Sequence, residues 1–492
     1  MAGAPSPTKD CRSCHTRRIR CDRTVPHCVK CKRKGIPCPG YGVQLRWTNS
    51  IASRGRFKGL GAPANNGAGQ EDKRTPTPVQ PSTSPSTWTY NAPADLSTSQ
   101  YHRAPQISAS QDSKFEQVPQ SALDELVQYY AQEIAPLNVW VHSEFNGYAR
   151  FVIPLATSQP VLKLAIMGIA AAHQPRPSIH DPDFAQWACQ KALVLITERV
   201  RKLAGMSTEE TRAHIDTEMD SSEAVLAATL VLSNYSLLES DISLALFHLQ
   251  AARVLIWTLS ANRESGDNLF AFLKNQVAGL DIVACTTLFE AKYIRDAVLP
   301  DPERGVFGHF LAIIHRITIQ SIEEADEGNR VHLSTAELED EFELARGASL
   351  MAAGRLLAES ETSYRRDVTR LIQSFHHAGM LYACKRVRVL DSEHVEKQHT
   401  DRLFRLLGQF EDMNACMGNL SWPVFIGGLC TRRDESKNQV VRDICMRLST
   451  SSPYKYYANI LTFLEEVWAS DHQDWAVTAR QWEDKSMPIL AV

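Results

Sequence analysis

Residues 11–38 read CRSCHTRRIRCDRTVPHCVKCKRKGIPC, and the rest of the chain is read outward from this stretch. It holds six cysteines, Cys11, Cys14, Cys21, Cys28, Cys31 and Cys38. Their spacing is C-x2-C-x6-C, then a six-residue connection, then C-x2-C-x6-C again. Each half offers a two-residue knuckle and a third sulfur one short helix away. Six thiolates suit two tetrahedral zinc ions. Two four-coordinate ions need eight ligand positions, and six sulfurs fill eight only if two of them bridge. A single zinc would leave two cysteines over, and a lone finger would want histidines downstream. So small a module has little core, and metal binding must supply its folding free energy, on the order of 10 kcal/mol per structural zinc.

The alternative use of six cysteines is a three-disulfide knot, which belongs to oxidising compartments. Met1–Asp10 is short, polar and proline-containing, with no apolar stretch of the secretory kind. Metal is therefore expected, and the other cysteines (Cys189, Cys285, Cys384, Cys416, Cys430, Cys445) are expected as buried core thiols. The whole chain balances 53 Lys+Arg against 56 Asp+Glu. Residues 1–60 nevertheless hold 14 basic residues against Asp10 and Asp22, a net charge of +12, which leaves −15 for the remainder. A basic head on an acidic body is the pattern of a polyanion binder.

Residues 61–114 carry seven prolines, many Ser and Thr, and only Val79, Leu96 and Ile107 as large aliphatics. Such a segment buries too little apolar surface to offset chain ordering and is expected as a disordered linker. As a flexible coil its ends would lie roughly 40 Å apart, so the head could dock without dictating where the body sits. Residues 115–492 read as one large all-α domain. Ser158 and Pro160 look like a helix start before Val161–His173. Ile242, Ala245, Leu246 and Leu249 repeat at helical spacing, as do Val368, Leu371, Ile372 and Phe375. Uninterrupted apolar runs stay short of the roughly 18–20 residues that span a bilayer, so no membrane is expected as a partner. The fold class is mainly α: a small two-zinc cysteine module, a linker and a large helical regulatory domain.

The segment Cys11–Cys38 resembles the fungal zinc binuclear cluster of transcription factors. That resemblance implies double-stranded DNA as partner, a nuclear location, and Cys11 and Cys28 as the bridging ligands. It also implies that the helix between Cys14 and Cys21 enters the major groove, with Arg17 and Arg18 reading a CGG triplet. A guanine-facing arginine fits, because its fork bonds O6 and N7 together. Arg20, Lys30, Lys32, Arg33 and Lys34 are assigned to the DNA interface as well, the last four as phosphate anchors or a nuclear import signal. Gly35 and Pro37 are expected to shorten the second helix. Gly40–Trp47 is similar to the fungal arginine-metabolism regulators. No apolar heptad follows the cluster, so the short dimerising coiled coil of many family members is missing and homodimerisation stays open.

The body resembles the fungal-specific transcription factor domain of the second type, in Phe145–Leu155, Ser222–Trp257 and Ser421–Gly428. This implies a regulatory domain that senses a small-molecule effector or contacts transcription co-regulators, in a protein of the RNA polymerase II type. The regulated genes would be metabolic, in amino-acid and nitrogen use or in a secondary-metabolite cluster. The other readings are a nuclear scaffold with a structural zinc head, which the basic helix argues against, and an enzyme. No nucleophile elbow, Walker loop, zincin helix or dinucleotide fingerprint occurs. His376-His377, beside an apolar face, are expected as core or boundary histidines. His394 and His399, five apart, do not share a helical face.

Overall fold

The computed structural model describes residues 11, 13, 14, 17, 19–24, 28–34, 36 and 38, and 109–492 apart from 176–178, 180, 205–218, 261–267, 328–332, 388, 390, 391, 472 and 473. The chain forms two compact units, one containing the cysteine head and the other residues 107–196 and 217–492. Most of the expected linker therefore lies outside the described residues.

Each half of the head opens with a helical turn. Cys14 N donates to the Cys11 carbonyl at 3.1 Å, Arg17 N to Ser13 at 3.3 Å, and Ile19 N closes onto Cys14 at 3.0 Å. The second half repeats this closure, with Ile36 N donating to the Cys31 carbonyl at 3.1 Å. Its helix α1, Val29–Arg33, ends at the Lys34 cap, just before Gly35 and Pro37.

The second unit starts earlier than the composition suggested. Residues 109–114, expected within the linker, belong to helix α2, Ala109–Phe115. Asp112 holds it in place, accepting from Trp187 Nε1 at 2.9 Å and from Lys191 Nζ at 2.6 Å. Two well-placed side chains order a segment whose composition is otherwise that of a coil. Helices α3 (Gln120–Tyr129), α4 (Ile153–Ala156), α5 (Pro160–His173) and α6 (Phe184–Ala204) follow. Helix α5 begins one residue after its cap Gln159; Ser158 caps nothing there, since its hydroxyl donates to the Leu155 carbonyl.

Helices α7 (Met219–Leu238) and α8 (Ile242–Ser260) form a closely packed pair. The turn between them needs a left-handed residue, and Ser240 supplies it with φ 65°. Asp241 N then reaches back to the Ser236 carbonyl at 2.8 Å, while the Asp241 carboxylate accepts from Leu244 N at 3.0 Å. Ile242, Ala245, Leu246 and Leu249 are all buried on one face. By length and composition α8 could cross a membrane. Its role here is that of a core helix, and it carries a buried charge. The Arg253 Nε donates to both oxygens of Asp281 on α9 (Asn268–Cys285), at 2.9 and 2.8 Å. Arg253 Nη1 bonds the Tyr293 carbonyl, and its guanidinium lies 3.9 Å over the Tyr293 ring on α10, Ala291–Arg295.

The remaining helices are α11 (Gly308–Glu327), α12 (Thr335–Leu356), α13 (Thr362–Arg386), α14 (Ser392–Leu407), α15 (Met417–Leu429), α16 (Glu435–Ser451), α17 (Tyr457–Ala469) and α18 (Trp475–Asp484). Among the described residues the β-structure is one isolated bridge, Leu333 to Val389. Helix α13 is the hub, packing against α11, α12, α14 and α15. Val368, Leu371, Ile372 and Phe375 are its buried face. Phe375 stacks on Trp422 of α15 at 5.3 Å, and Trp422 Nε1 donates to Thr286 Oγ1 at 3.1 Å. A Trp-Pro pair such as Trp422-Pro423 reads in the sequence as a structural corner, yet it lies inside this buried helix, where Pro423 removes the donor that the Asn419 carbonyl would have used. The six cysteines outside the head are free, with four buried and Cys384 and Cys430 half-buried.

Where α12 crosses α13, a Cβ on Gly379 would stand 2.3 Å from Phe342 Cε1. Gly379→Ala gains about 1 kcal/mol of helix propensity. Overpacking a rigid aromatic costs about 1–3 kcal/mol, so the clash should win. The expected outcome is a lower thermal midpoint for the helical circular dichroism signal.

Candidate metal centre

Five of the six head cysteines are buried and Cys38 is half-buried, in a segment with almost no apolar core of its own. All six sulfurs stand outside any disulfide. Cys11 Sγ stands 3.6 Å from Cys28 Sγ and 3.8 Å from Cys31 Sγ; Cys14 Sγ stands at the same distances from that pair. The sulfurs resolve into two tetrads, each with all members within 4.8 Å of one another. One is Cys11, Cys14, Cys21 and Cys28; the other is Cys11, Cys28, Cys31 and Cys38. Cys11 and Cys28 are common to both, so six sulfurs present eight ligand positions.

The donor chemistry fits zinc. Burial pushes the thiols of Cys11, Cys14 and Cys28 up, that of Cys28 to about 12. A bound dication would displace the protons of such thiols, which pass to solvent as the thiolates ligate it. The head is thus a two-zinc centre of the six-cysteine type. The ions would supply the cross-links between the halves that apolar packing does not.

One organising residue was missed in the sequence. The Asp22 carboxylate accepts from Val29 N at 2.9 Å, Lys30 N at 2.8 Å, Thr24 N at 3.2 Å and Thr24 Oγ1 at 2.7 Å. It caps α1 from outside the helix and ties the connection to the second half. The Thr24 hydroxyl, with the Lys30 and Val29 amides, holds its carboxyl well below the usual range. The signal was present: Asp22 is the one acidic residue between the first and last cysteine of a basic segment.

Of the residues assigned to DNA, Arg20, Lys30, Lys32, Arg33 and Lys34 are exposed. Lys30 Nζ donates to the Arg20 carbonyl at 2.7 Å, so it also braces one half against the other. Arg17 is half-buried, and its Nη1 has no hydrogen-bond partner among the described residues. Arg18 lies outside the described residues.

Residues 9–48 match the fungal Zn(2)-Cys(6) binuclear cluster domain, and residues 125–487 match the fungal specific transcription factor domain. Two curated proteins are similar over the head. The acriflavine sensitivity control protein acr-2 of Neurospora crassa is 46% identical over 55 residues, 10% of this chain and 9% of that protein. The arginine metabolism regulation protein II of Saccharomyces cerevisiae is 39% identical over 41 residues, 8% of this chain and 5% of that protein. The chain thus spans less than a tenth of the length of these relatives. No solved structure matches. Both matched modules are those of a regulatory protein, not of an enzyme. The second match covers most of the chain, beyond the short cysteine head, and the chain therefore belongs to the fungal specific transcription factor domain family, with a fungal Zn(2)-Cys(6) binuclear cluster at its head.

Proposed function

We propose that this protein is a nuclear, sequence-specific DNA-binding regulator of RNA polymerase II genes. One observation carries the reading: a buried six-sulfur centre whose surface bears the exposed cations Arg20, Lys32, Arg33 and Lys34. The six cysteines hold the two zinc ions. Arg17 and Arg18 contact guanines of a CGG-like site in the major groove, and Arg20, Lys30, Lys32, Arg33 and Lys34 hold the phosphates. The helical body receives the regulatory input, from a small-molecule effector or a co-regulator. Its target genes are metabolic, in amino-acid and nitrogen use or in a secondary-metabolite cluster. The printed name of the arginine regulator supports the first of these. Mapping of bound sites, together with transcript changes in a deletion strain, separates the two.

Fluorescence anisotropy with the zinc-loaded chain at about 150 mM salt tests the DNA reading, since salt sets the non-specific background. A CGG duplex should bind more tightly than a scrambled one, and equal binding would sink base reading. Arg18→Ala should cost about 1–3 kcal/mol on the CGG duplex and little on the scrambled one. Lys34→Ala should weaken both alike and reduce the salt slope by about one unit.

A further inference from the structure

Three histidines from two helices meet beside an open pocket of about 400 Å³ in the body. His376 and His377 lie on α13 and His399 on α14. The His377 and His399 Nδ1 atoms face each other at 3.1 Å, and one nitrogen from each of the three rings lies within 4.8 Å of the others. Two nitrogens held at about 2.0–2.1 Å by one tetrahedral ion stand about 3.3 Å apart, so the observed spacing is close to that of a ligand pair. His376 is 5% exposed, and its Nδ1 has no hydrogen-bond partner among the described residues. Buried polar groups without a partner are rare in folded proteins and call for an explanation.

The carboxylates complete the pattern. Glu343 Oε2 lies 4.0 Å from His376 Nδ1, and Glu339 Oε1 lies 3.9 Å from His399 Nε2. Both project from α12. A histidine that gives one nitrogen to a metal characteristically turns the other toward a carboxylate, which is the place Glu339 takes. Two cations line the same pocket, Arg346 and Arg402, and each is already engaged. Arg346 Nε donates to Glu343 at 2.8 Å, and Arg402 donates to the Gln398 amide oxygen at 2.6 and 3.0 Å with that amide in its satisfying orientation.

We propose that His376, His377 and His399 bind one divalent transition-metal ion of the zinc class, with Glu343 or water at the fourth position and Glu339 orienting His399. Three imidazoles with an oxygen ligand suit such an ion, whereas magnesium and calcium prefer oxygen throughout. The ion would join α12, α13 and α14 around the hub helix of the body. This site is separate from the cysteine head and does not depend on how the head reads DNA.

The test uses the full-length chain with its cysteine head already loaded, and zinc itself as the probe. Plasma emission after gel filtration should find three zinc equivalents per chain, and two in His377→Gln and in His399→Gln with helical circular dichroism unchanged. A readout without variants is cobalt, added as a third equivalent to protein holding two zincs. It should give a visible spectrum of nitrogen and oxygen ligation, with no sulfur-to-cobalt charge-transfer band. Two zinc equivalents in the wild type would overturn the site, as would a third that survives both substitutions. Should a variant lose its helical signal, the cobalt spectrum decides, and a sulfur-type band counts against the site.

Discussion

Cys28→Ser should leave the head with neither of its zinc ions and abolish specific DNA binding, while Cys38→Ser should leave one ion in place. The difference follows from sharing. Cys28 belongs to both sulfur tetrads, so a serine there removes a ligand from each ion. Cys38 belongs to one tetrad, and the set Cys11, Cys14, Cys21 and Cys28 survives its loss. Each ion contributes on the order of 10 kcal/mol, far more than the few apolar contacts of a segment this short. Losing both therefore unfolds the head, and the cation array that faces DNA goes with it. Zinc content relative to the wild type checks the expectation directly: a loss of two equivalents for Cys28→Ser against one for Cys38→Ser. Equal losses from the two variants would contradict a shared ligand at Cys28.

The second large effect is expected in the body. Asp281→Ala should destabilise it by about 3–5 kcal/mol, the cost of leaving one member of a buried ion pair without its partner. Asp281 is wholly buried and accepts from both Nε and Nη2 of Arg253 and from Val298 N at 2.9 Å. Removing it strands a buried guanidinium that keeps the Tyr293 carbonyl and ring and a weak contact with the Cys285 sulfur, all uncharged. Replacing both members, Arg253→Met with Asp281→Leu, should recover most of the loss, because no charge is then left to desolvate. Chemical denaturation followed by helical circular dichroism measures this. A double variant no more stable than Asp281→Ala would show that the pair, rather than the desolvated charge, holds α8 to α9.

The helical class of the body was legible because its signal is local. The apolar residues of α8 and α13 recur at the helical period, and burying that face is what the folded chain does with them. The α7–α8 pair falls almost wholly within Ser222–Trp257, one of the segments that carry the family resemblance. Less visible were features that a single side chain decides. Asp112 orders α2 inside a segment with a linker's composition, and Ser240 turns the chain between α7 and α8 without the glycine that such turns favour. Trp422 and Pro423 suggested a corner, yet the cost of proline in a helix is offset here by a fully buried tryptophan stacked on Phe375.

The candidate histidine site shows the same limit more sharply. By sequence His376-His377 read as core or boundary histidines, and the histidine nearest to His399 is His394. Its actual neighbour, His377, is 22 residues away on another helix, brought close by the packing of α13 on α14. What the sequence by itself determined is the six-sulfur donor set, its zinc count and the basic surface around it. Those follow from spacing within one short segment and from ligand-number arithmetic. Tertiary structure alone decided that Asp22 caps α1, that Arg253 meets Asp281, and that His399 joins His376 and His377 beside one pocket. Each depends on contacts between separate turns or helices, and side-chain periodicity carries no information about which faces will meet.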